Sequence, residues 1–194
     1  MKSELFFKDR MECSIEVTRP MVEKAIIKTV WDFECFDKHG NLKWRDVQRP
    51  NIVTTEALNA LLNVMIHGYA QLTKWYLFPV ESNTTAVATM TYAVPTFTEC
   101  IAYEQTSRVL FNGNVSTAKS ISNTDNKAIF TMNAEKTLYG AALVGGFDDE
   151  YDLVSSKRDV SDEDAVLFSY AKFSSSKLVE SSDSFRILCT LTSA

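Results

Sequence analysis

One amphipathic helix set among strand-like segments is the feature that most constrains this fold. In the stretch 51–68, NIVTTEALNALLNVMIHG, four large apolar residues recur at the spacing of a single helix face: Leu58, Leu61, Leu62 and Met65. Thr54 or Thr55 can cap the amino end, and Gly68 can adopt the left-handed conformation that ends a helix. An apolar helix face in a β-rich chain needs a sheet or a partner to cover it. We therefore predict one helix over about residues 54–67.

The chain before the helix reads as a β-hairpin. The segment 29–36, TVWDFECF, alternates in polarity, and Trp31, Phe33 and Cys35 share the face that we assign to the interior. Turn-forming residues at 37–41 then lead into a second strand. This pattern predicts two antiparallel strands joined by a short turn.

The chain after the helix reads as a succession of short strands. Further strands are predicted at 74–80, 96–102, 107–111, 128–133, 137–144, 165–173 and 184–192. The strands 128–133 and 137–144 are expected to pair, whereas 81–94 is expected to be a long surface loop. The fold class predicted is mainly β, a β-sandwich or jelly roll with one amphipathic helix and an N-terminal arm. We expect a single domain over 25–194 and an arm or edge segment over 1–24.

The amino-terminal segment carries the first group of candidate interaction residues. Leu5, Phe6 and Phe7 form a short apolar cluster between charged residues, in a stretch without a clean period. Such a cluster is typical of an arm that docks on another surface. The alternative is that this part of the chain contributes a first edge strand at 14–17.

The predicted loop 81–94 carries the second group. It is rich in Thr, Ala, Ser and Asn, and its apolar residues Met90, Tyr92 and Val94 alternate with small or polar ones. This alternation favours a short exposed strand or a contact with a neighbouring molecule. We therefore take these three residues as candidate interaction residues.

Composition and charge exclude several classes of function. The chain has 20 basic and 25 acidic residues and a net charge of −5. Its basic residues are scattered, which argues against nucleic acid as a partner. No run approaches the ~20 apolar residues that span a bilayer, so we expect no membrane association. The four cysteines lie far apart and no secretory signal is evident, which favours reduced, buried thiols and synthesis in a cytoplasm.

The motifs of common catalytic and metal sites are absent from the sequence. His39 lies in the predicted hairpin turn and His67 at the end of the helix, and neither has a second ligand at metal-binding spacing. There is no Gly-x-Ser-x-Gly motif and no glycine-rich phosphate loop. A Ser–His–Asp arrangement stays open, because triads form in space rather than in sequence. We expect no enzyme activity, no metal and no cofactor.

Two further groups of residues have both a functional and a structural interpretation. The acidic stretch 147–164 can hold paired carboxylates for a Ca²⁺ or glycosidase site, but it lacks EF-hand spacing and is typical of a solvated loop. Trp31, Trp44 and Trp75 can form a sugar-binding platform. Since each lies in a predicted strand, packing in the core is favoured.

The order of features along residues 28–194 resembles a group of tailed-bacteriophage virion proteins whose chains end in a jelly-roll-like β-domain. The residues that carry the resemblance are the hairpin, Asn51-(x)2-Thr54-(x)3-Leu58-(x)2-Leu61-Leu62 ended by Gly68, Trp75-Tyr76-Leu77, the segment 98–108 with Tyr103, Ile129 to Ala134, Gly140-Ala141-Ala142-Leu143, 167–173 and 179–183. The leader 1–24 and the acidic stretch 147–164 depart from this layout.

This resemblance implies a structural role. Similar proteins decorate capsids as cement proteins, so it implies the major capsid protein and further copies of this chain as partners, and a virion location after synthesis in the bacterial host cytoplasm. Leu5, Phe6, Phe7 and the loop 81–94 are then expected to supply capsid or sister-subunit contacts. The alternatives are a tail or head-to-tail connector component that forms a ring, and a glycan-binding tail protein.

Overall fold

The structure, a computed structural model, describes residues 27–147 and 153–193 and confirms the prediction of a mainly β chain. One α-helix and nine strands lie in this part of the chain. In chain order they are β1 (Ile27–Phe36), β2 (Leu42–Val53), α1 (Thr55–Leu62), β3 (Lys74–Val80), β4 (Val109–Leu110), β5 (Ser120–Ser122), β6 (Ala128–Thr131), β7 (Lys136–Gly146), β8 (Val166–Val179) and β9 (Ser184–Ser193). A π-helical extension (Asn63–His67) continues α1, and a short 3-10 helix (Leu153–Ser155) precedes β8.

The strands form two antiparallel sheets that fit a β-sandwich. The first sheet contains the start of β2 followed by β1 and β9, with β5 and β6 both paired to β9. The second contains the end of β2 followed by β8, β7, β3 and β4. The strand order does not confirm a jelly roll specifically.

Strand β2 joins the two sheets because it bends partway along its length. Its pairing with β1 shifts register between Trp31 and Phe33, and Gln48 has a φ of 56°. The backbone N–H of Gln48 donates to Asp32 Oδ1 over 2.6 Å, which fixes the distorted position. Arg49 and Pro50 still pair with β1, and from Asn51 to Val53 β2 pairs with β8. An irregularity of this kind redirects a strand, and here it lets one strand close one edge of the sandwich.

The main core lies between the sheets. It contains the residues of the hairpin that the alternation of polarity assigned to the interior. Trp31, Phe33 and Cys35 are all fully buried, as predicted. Phe33 packs against Phe173 with ring centroids 4.6 Å apart and against Phe185 with ring centroids 6.1 Å apart. Aromatic rings from both sheets therefore meet across the sandwich. The predicted turn between β1 and β2 is present.

One prediction of strand pairing is wrong, and the strands predicted at 96–102 and 107–111 are largely absent from the structure. The predicted pair 128–133 and 137–144 does not form, because β6 pairs with β9, whereas β7 lies between β3 and β8. The second half of β7 is buried almost continuously, which suits a central strand covered on both sides. Between 96 and 111 the chain is irregular except for isolated bridges and the short β4.

Gly140 permits the close approach of β7 and β8. A Cβ at this position would lie 2.3 Å from the carbonyl oxygen of Ala171, a distance that no side chain tolerates. A glycine inside a strand often marks such a close approach of two backbones.

The predicted arm 1–24, with Leu5, Phe6 and Phe7, falls outside the described residues. The loop 81–94 is irregular as expected, but it contains no strand, so the prediction of a short exposed strand is wrong. Met90 and Tyr92 are buried, because they pack in a second apolar cluster on the outer face of the second sheet. Val94 is 65% exposed.

Candidate functional site

The helix α1 is attached to the second sheet through its first turn. Thr54 has extended backbone angles and its Oγ1 accepts the Ala57 N–H over 3.0 Å, as a helix cap does. The same hydroxyl donates to the carbonyl of Leu167 on β8. Ala57 is fully buried against the sheet. The cap therefore fixes both the start of the helix and its position on β8.

Glu56 adds a second attachment at the same end. Its Oε2 accepts the backbone N–H of Leu167 over 2.7 Å and that of Tyr92 over 2.9 Å. The carboxylate thereby ties the helix to β8 and to the loop 81–94. Burial raises the pKa of Glu56, and the two backbone hydrogen bonds oppose this rise without cancelling it.

The opposite side of the helix and its extension is a row of exposed apolar side chains, which we call the exposed helix patch. Its members are Leu58, Leu62, Met65, Ile66 and Tyr69. Met65 and Ile66 are 74% and 79% exposed, fractions that are unusual for neighbouring large apolar residues.

The predicted apolar face is therefore not the face that the sheet covers. Of the four residues in the sequence stripe, Leu61 packs against the main core, whereas Leu58, Leu62 and Met65 are exposed. The small side chain of Ala57 lets the helix lie close to β8, which turns the larger residues outward. The sequence required a sheet or a partner to cover this stripe, and among the described residues only Leu61 of the four packs against the core.

The end of the helix widens into a π-helical turn. The N–H groups of Gly68 and Tyr69 both reach back to the carbonyl of Asn63, and Gly68 has a φ of 81°. The predicted role of Gly68 as the terminating residue is confirmed. Single π-helical turns occur frequently at functional sites. This turn places Met65 and Ile66 at the outermost part of the exposed helix patch.

A groove runs beside the helix, on the side that faces the loop 81–94. It has a volume of about 580 Å³ and is bounded by the helix, by residues 88–91 and by residues 163–166. Carboxylates of Glu56, Glu163 and Asp164 stand among its lining residues, together with apolar groups. The helix therefore combines an exposed apolar face with an adjoining recess, as protein-binding surfaces do.

A buried ion pair lies on the outer face of the second sheet. Arg108 Nη2 is 2.8 Å from Glu99 Oε2, and both side chains are at least nine-tenths buried. Arg108 Nη1 donates to the carbonyl of Val154 over 2.8 Å and to the hydroxyl of Tyr92 over 3.0 Å. Arg108 Nη2 also donates to the carbonyl of Asp159 over 3.1 Å. The guanidinium thus ties the loop 81–94 to the segment 153–165.

The electrostatics of this pair favour a structural role. Burial lowers the pKa of Arg108, but the hydrogen bonds and charge of Glu99 outweigh this effect and raise it. Glu99 also accepts the backbone N–H of Arg158 over 2.9 Å. Because the N–H groups of the Arg108 guanidinium donate to other protein groups, the ion pair stabilises the contacts between the segments around it. Sequence reasoning missed it, since nothing in the spacing of Glu99 and Arg108 distinguishes them from surface residues.

The three described cysteines are buried, as the sequence predicts. Cys35, Cys100 and Cys189 are free and buried. Burial raises the pKa of Cys35 to about 12 and that of Cys100 to about 11, so both stay protonated thiols at neutral pH. Cys13 lies outside the described residues.

The remaining candidate residues do not converge on one site. His39 and His67 are both exposed, in the hairpin turn and at the end of the π-helical turn. Across 27–147 and 153–193, no three His, Cys, Asp or Glu side chains are grouped as metal ligands. In the acidic stretch, Asp159 accepts hydrogen bonds from Ser161, while residues 148–152 are not described.

The tryptophans pack against the core. Trp31 is fully buried, which confirms core packing at that position. Trp44 and Trp75 are half-buried, and their rings contact Phe173 and Phe168 at centroid distances of 5.9 Å and 5.4 Å.

Comparisons with known proteins add no family to this description. The chain matches no protein-family model, and a search of curated proteins also finds no match. None of the described helices is long and apolar enough to cross a membrane. The exposed helix patch is the feature of the described surface that most clearly suggests an interaction.

Proposed function

We propose that this chain is a structural, protein-binding subunit of a bacteriophage virion, a decoration protein that attaches to the major capsid protein through the exposed helix patch. The observation that carries the proposal is the exposure of neighbouring large apolar side chains on one helix, Met65 and Ile66 above all. Apolar surface gathered in one place marks interaction sites on proteins. The resemblance of the sequence to phage virion proteins supplies the class of partner.

The energetics fit attachment at many equivalent positions. Full burial of one large apolar side chain contributes about 1.5–3 kcal/mol, whereas association costs roughly 4–15 kcal/mol in lost freedom. Five partly exposed side chains therefore give a modest affinity at a single contact. A second contact between copies, or with another capsid subunit, raises the avidity through effective concentration. Val94, exposed on the adjoining loop, is the candidate for that contact.

A decoration protein stabilises the shell by mass action. A molecule that binds only the assembled lattice shifts the equilibrium toward that lattice. This action requires a stable scaffold and a complementary surface and no reaction chemistry. The buried ion pair of Arg108 and Glu99 stabilises the scaffold, and the exposed helix patch offers the surface.

The first experiment measures occupancy. Particles are purified from the host that carries this gene, and the chain is quantified in them by mass spectrometry. Decoration predicts on the order of hundreds of copies per particle, whereas a connector ring predicts about a dozen or fewer. Absence of the chain from the particles overturns the proposal.

The second experiment tests the surface. The double variant Met65→Ser/Ile66→Ser is added to capsids stripped of the chain, and Leu178→Ser serves as the matched control. Leu178 is an exposed apolar residue near the far end of β8, away from the helix. The patch variant is expected to lose binding and the control to retain it. Equal binding by the two variants excludes the exposed helix patch as the contact.

A further inference from the structure

Strands β7 and β8 lose their regular pairing at one place in the second sheet. The register shifts between Leu138 and Gly140, and at this shift Tyr139 is the single residue of β7 that faces residues 173–176 of β8. The register therefore leaves these residues of β8 without partners on β7, as in a β-bulge. Such bulges are over-represented next to active sites, where they redirect side chains.

Asp46 on β2 holds the bulge in place. Its Oδ2 accepts both the backbone N–H and the hydroxyl of Ser174, each over 2.8 Å. Arg49 Nε lies 3.7 Å from Asp46 Oδ1, so a cation balances the charge of this buried carboxylate. The same Nε donates to the carbonyl of Lys172 over 3.5 Å. Because the bulge is fixed in advance, a ligand that binds there does not have to order it.

A recess opens at the bulge, and we call it the bulge recess. It has a volume of about 280 Å³ and is lined by residues from β7, β8 and the loop 81–94. Pockets of about 300–1,000 Å³ hold drug-sized ligands, so this recess suits a ligand of about one ring. Lys172 is the single charged residue among the described residues that line it.

Four polar side chains of the lining have no hydrogen bond or ion pair to any other described side chain or backbone group. They are Asn83, Tyr139, Lys172 and Ser176. The ammonium group of Lys172 suits a carboxylate. The amide and the two hydroxyls both donate and accept hydrogen bonds, as the hydroxyls of a sugar ring do. Tyr139 also brings an apolar ring beside its polar tip, which suits the C–H groups of a sugar.

We propose that the bulge recess binds a sugar residue that carries a carboxylate group. Lys172 pairs with the carboxylate, while Asn83, Tyr139 and Ser176 bind the hydroxyls of the ring. The recess shares no lining residue with the exposed helix patch. The proposal therefore does not depend on attachment to a capsid.

A glycan array tests the class of ligand. The full chain is applied to immobilised terminal sugars that carry a carboxylate, namely glucuronic, galacturonic and sialic acids, and to neutral hexoses. We expect binding to at least one of the acidic sugars, about tenfold stronger than to the neutral sugars because of the charge-assisted contact. Binding to none of the acidic sugars, or equal binding to the neutral ones, overturns the proposal.

Two substitutions test the place of binding. Lys172→Gln removes the charge and is expected to weaken binding of the selected acidic sugar about tenfold, and Tyr139→Phe removes one hydroxyl and is expected to weaken it about threefold. Lys28→Gln, at an exposed lysine on the first sheet, is the matched control and is expected to bind like the wild type. Calorimetric titration measures the three dissociation constants. An undiminished affinity in Lys172→Gln, or an equal loss in Lys28→Gln, overturns the proposal.

Two measurements on the wild-type chain cover the case in which a substitution disturbs the bulge. Saturation with the selected sugar is expected to slow amide hydrogen exchange at 173–176, and unchanged exchange there overturns the proposal. Inorganic phosphate is the competing anion, and displacement of the sugar at equal concentration shows that charge alone is recognised, which also overturns it. Met65→Ser/Ile66→Ser leaves sugar binding unchanged, so failure of the capsid proposal is distinguishable from failure of this one.

Discussion

Arg108 and the exposed helix patch depart from the ordinary distribution of residues in opposite directions. A charged guanidinium lies buried on the outer face of the second sheet, while Met65 and Ile66 stand in solvent. Charged residues are almost never fully buried unless paired, and large apolar residues are usually covered. Arg108 contacts the loop 81–94 through the hydroxyl of Tyr92, and the helix that carries the patch contacts the same loop through Glu56, which accepts the Tyr92 N–H.

The difference between them lies in whether each surface is completed within the chain. Arg108 donates hydrogen bonds to Glu99, to Tyr92 and to two backbone carbonyls. These hydrogen bonds offset the free-energy cost of removing the guanidinium from water. Met65 and Ile66 have large exposed fractions, so the described residues leave them largely uncovered. A buried charge that is fully paired indicates structure, whereas an uncovered apolar face indicates recognition. The following substitutions test this distinction, in order of their expected effect on stability.

Arg108→Ala is expected to have the largest effect. It leaves the Glu99 carboxylate buried without its partner and removes the hydrogen bonds to Val154 and Asp159. Breaking one side of a buried ion pair costs about 3–5 kcal/mol of unfolding free energy. Urea denaturation of the full chain measures the loss.

Arg158→Ala is the control for this effect. Arg158 pairs with Glu81 across 3.4 Å, and its side chain is half-exposed. Because solvent screens such a pair, its removal is expected to cost less than about 1 kcal/mol. A loss of equal size in the two variants means that the burial of Arg108 does not determine its contribution.

Thr54→Ala is expected to have a smaller effect than Arg108→Ala. The change removes the cap of α1 and the hydrogen bond from the hydroxyl to Leu167. Loss of a cap costs about 1 kcal/mol and up to about 2. Thermal unfolding followed by circular dichroism measures the change, and Thr55→Ala, at the exposed neighbouring position, is the control. If both variants unfold like the wild type, the helix is not anchored through Thr54.

Met65→Ser/Ile66→Ser is expected to change stability by less than about 0.5 kcal/mol, as exposed substitutions do. The same change removes capsid binding under the proposed function. Ala57→Leu, on the covered side of the same helix, is the contrasting variant. It inserts a large side chain into a fully buried position and is expected to cost about 1–3 kcal/mol. A stability loss in the serine variant equal to that of Ala57→Leu shows that the exposed helix patch is covered within the chain.

The sequence predicted the parts of this molecule that local patterns determine. Alternation identified the buried face of β1, and capping residues with Gly68 located the helix. The pairing of β6 with β9 is set by contacts between distant segments, so adjacency along the chain misled the prediction. The orientation of the helix depends on how closely Ala57 approaches β8. The spacing of apolar residues along the sequence does not reveal this distance.

The sequence predicted the helix of the candidate site but not which of its side chains are exposed. The helix and its stripe were identified, but the sequence left open whether the sheet or a partner covers Leu58, Leu62 and Met65. Met90 and Tyr92 were expected at the surface, and they are buried because the segment 153–165 and the sheet enclose them. Glu99 and Arg108 gave no signal, because a buried ion pair is recognisable only once its two members are brought together.

Glu56→Gln is expected to have the smallest effect on the free energy of unfolding. The effect appears only as a change in how this free energy depends on pH. Burial raises the pKa of Glu56 above its ordinary value of 4.5, so the folded state holds this proton to higher pH than the unfolded state. The free energy of unfolding contributed by Glu56 therefore falls as pH rises from about 4.5 to the folded-state pKa. Gln keeps an oxygen that can accept from Leu167 and Tyr92, but it does not titrate.

The stability of the Gln variant relative to the wild type should therefore rise across that interval and stay level above it. Urea denaturation at a series of pH values measures the difference, and contributions from other carboxylates cancel because both chains share them. Glu163→Gln, an exposed position in the adjoining loop, is the control. A difference that falls as pH rises shows that folding stabilises the charged form of Glu56, and a difference that is constant with pH shows that folding leaves its pKa unchanged; either result contradicts the prediction. In the first case the attachment of the helix would be ionic at this point, and the contrast between a fully paired buried charge at Arg108 and a penalised one at Glu56 would disappear.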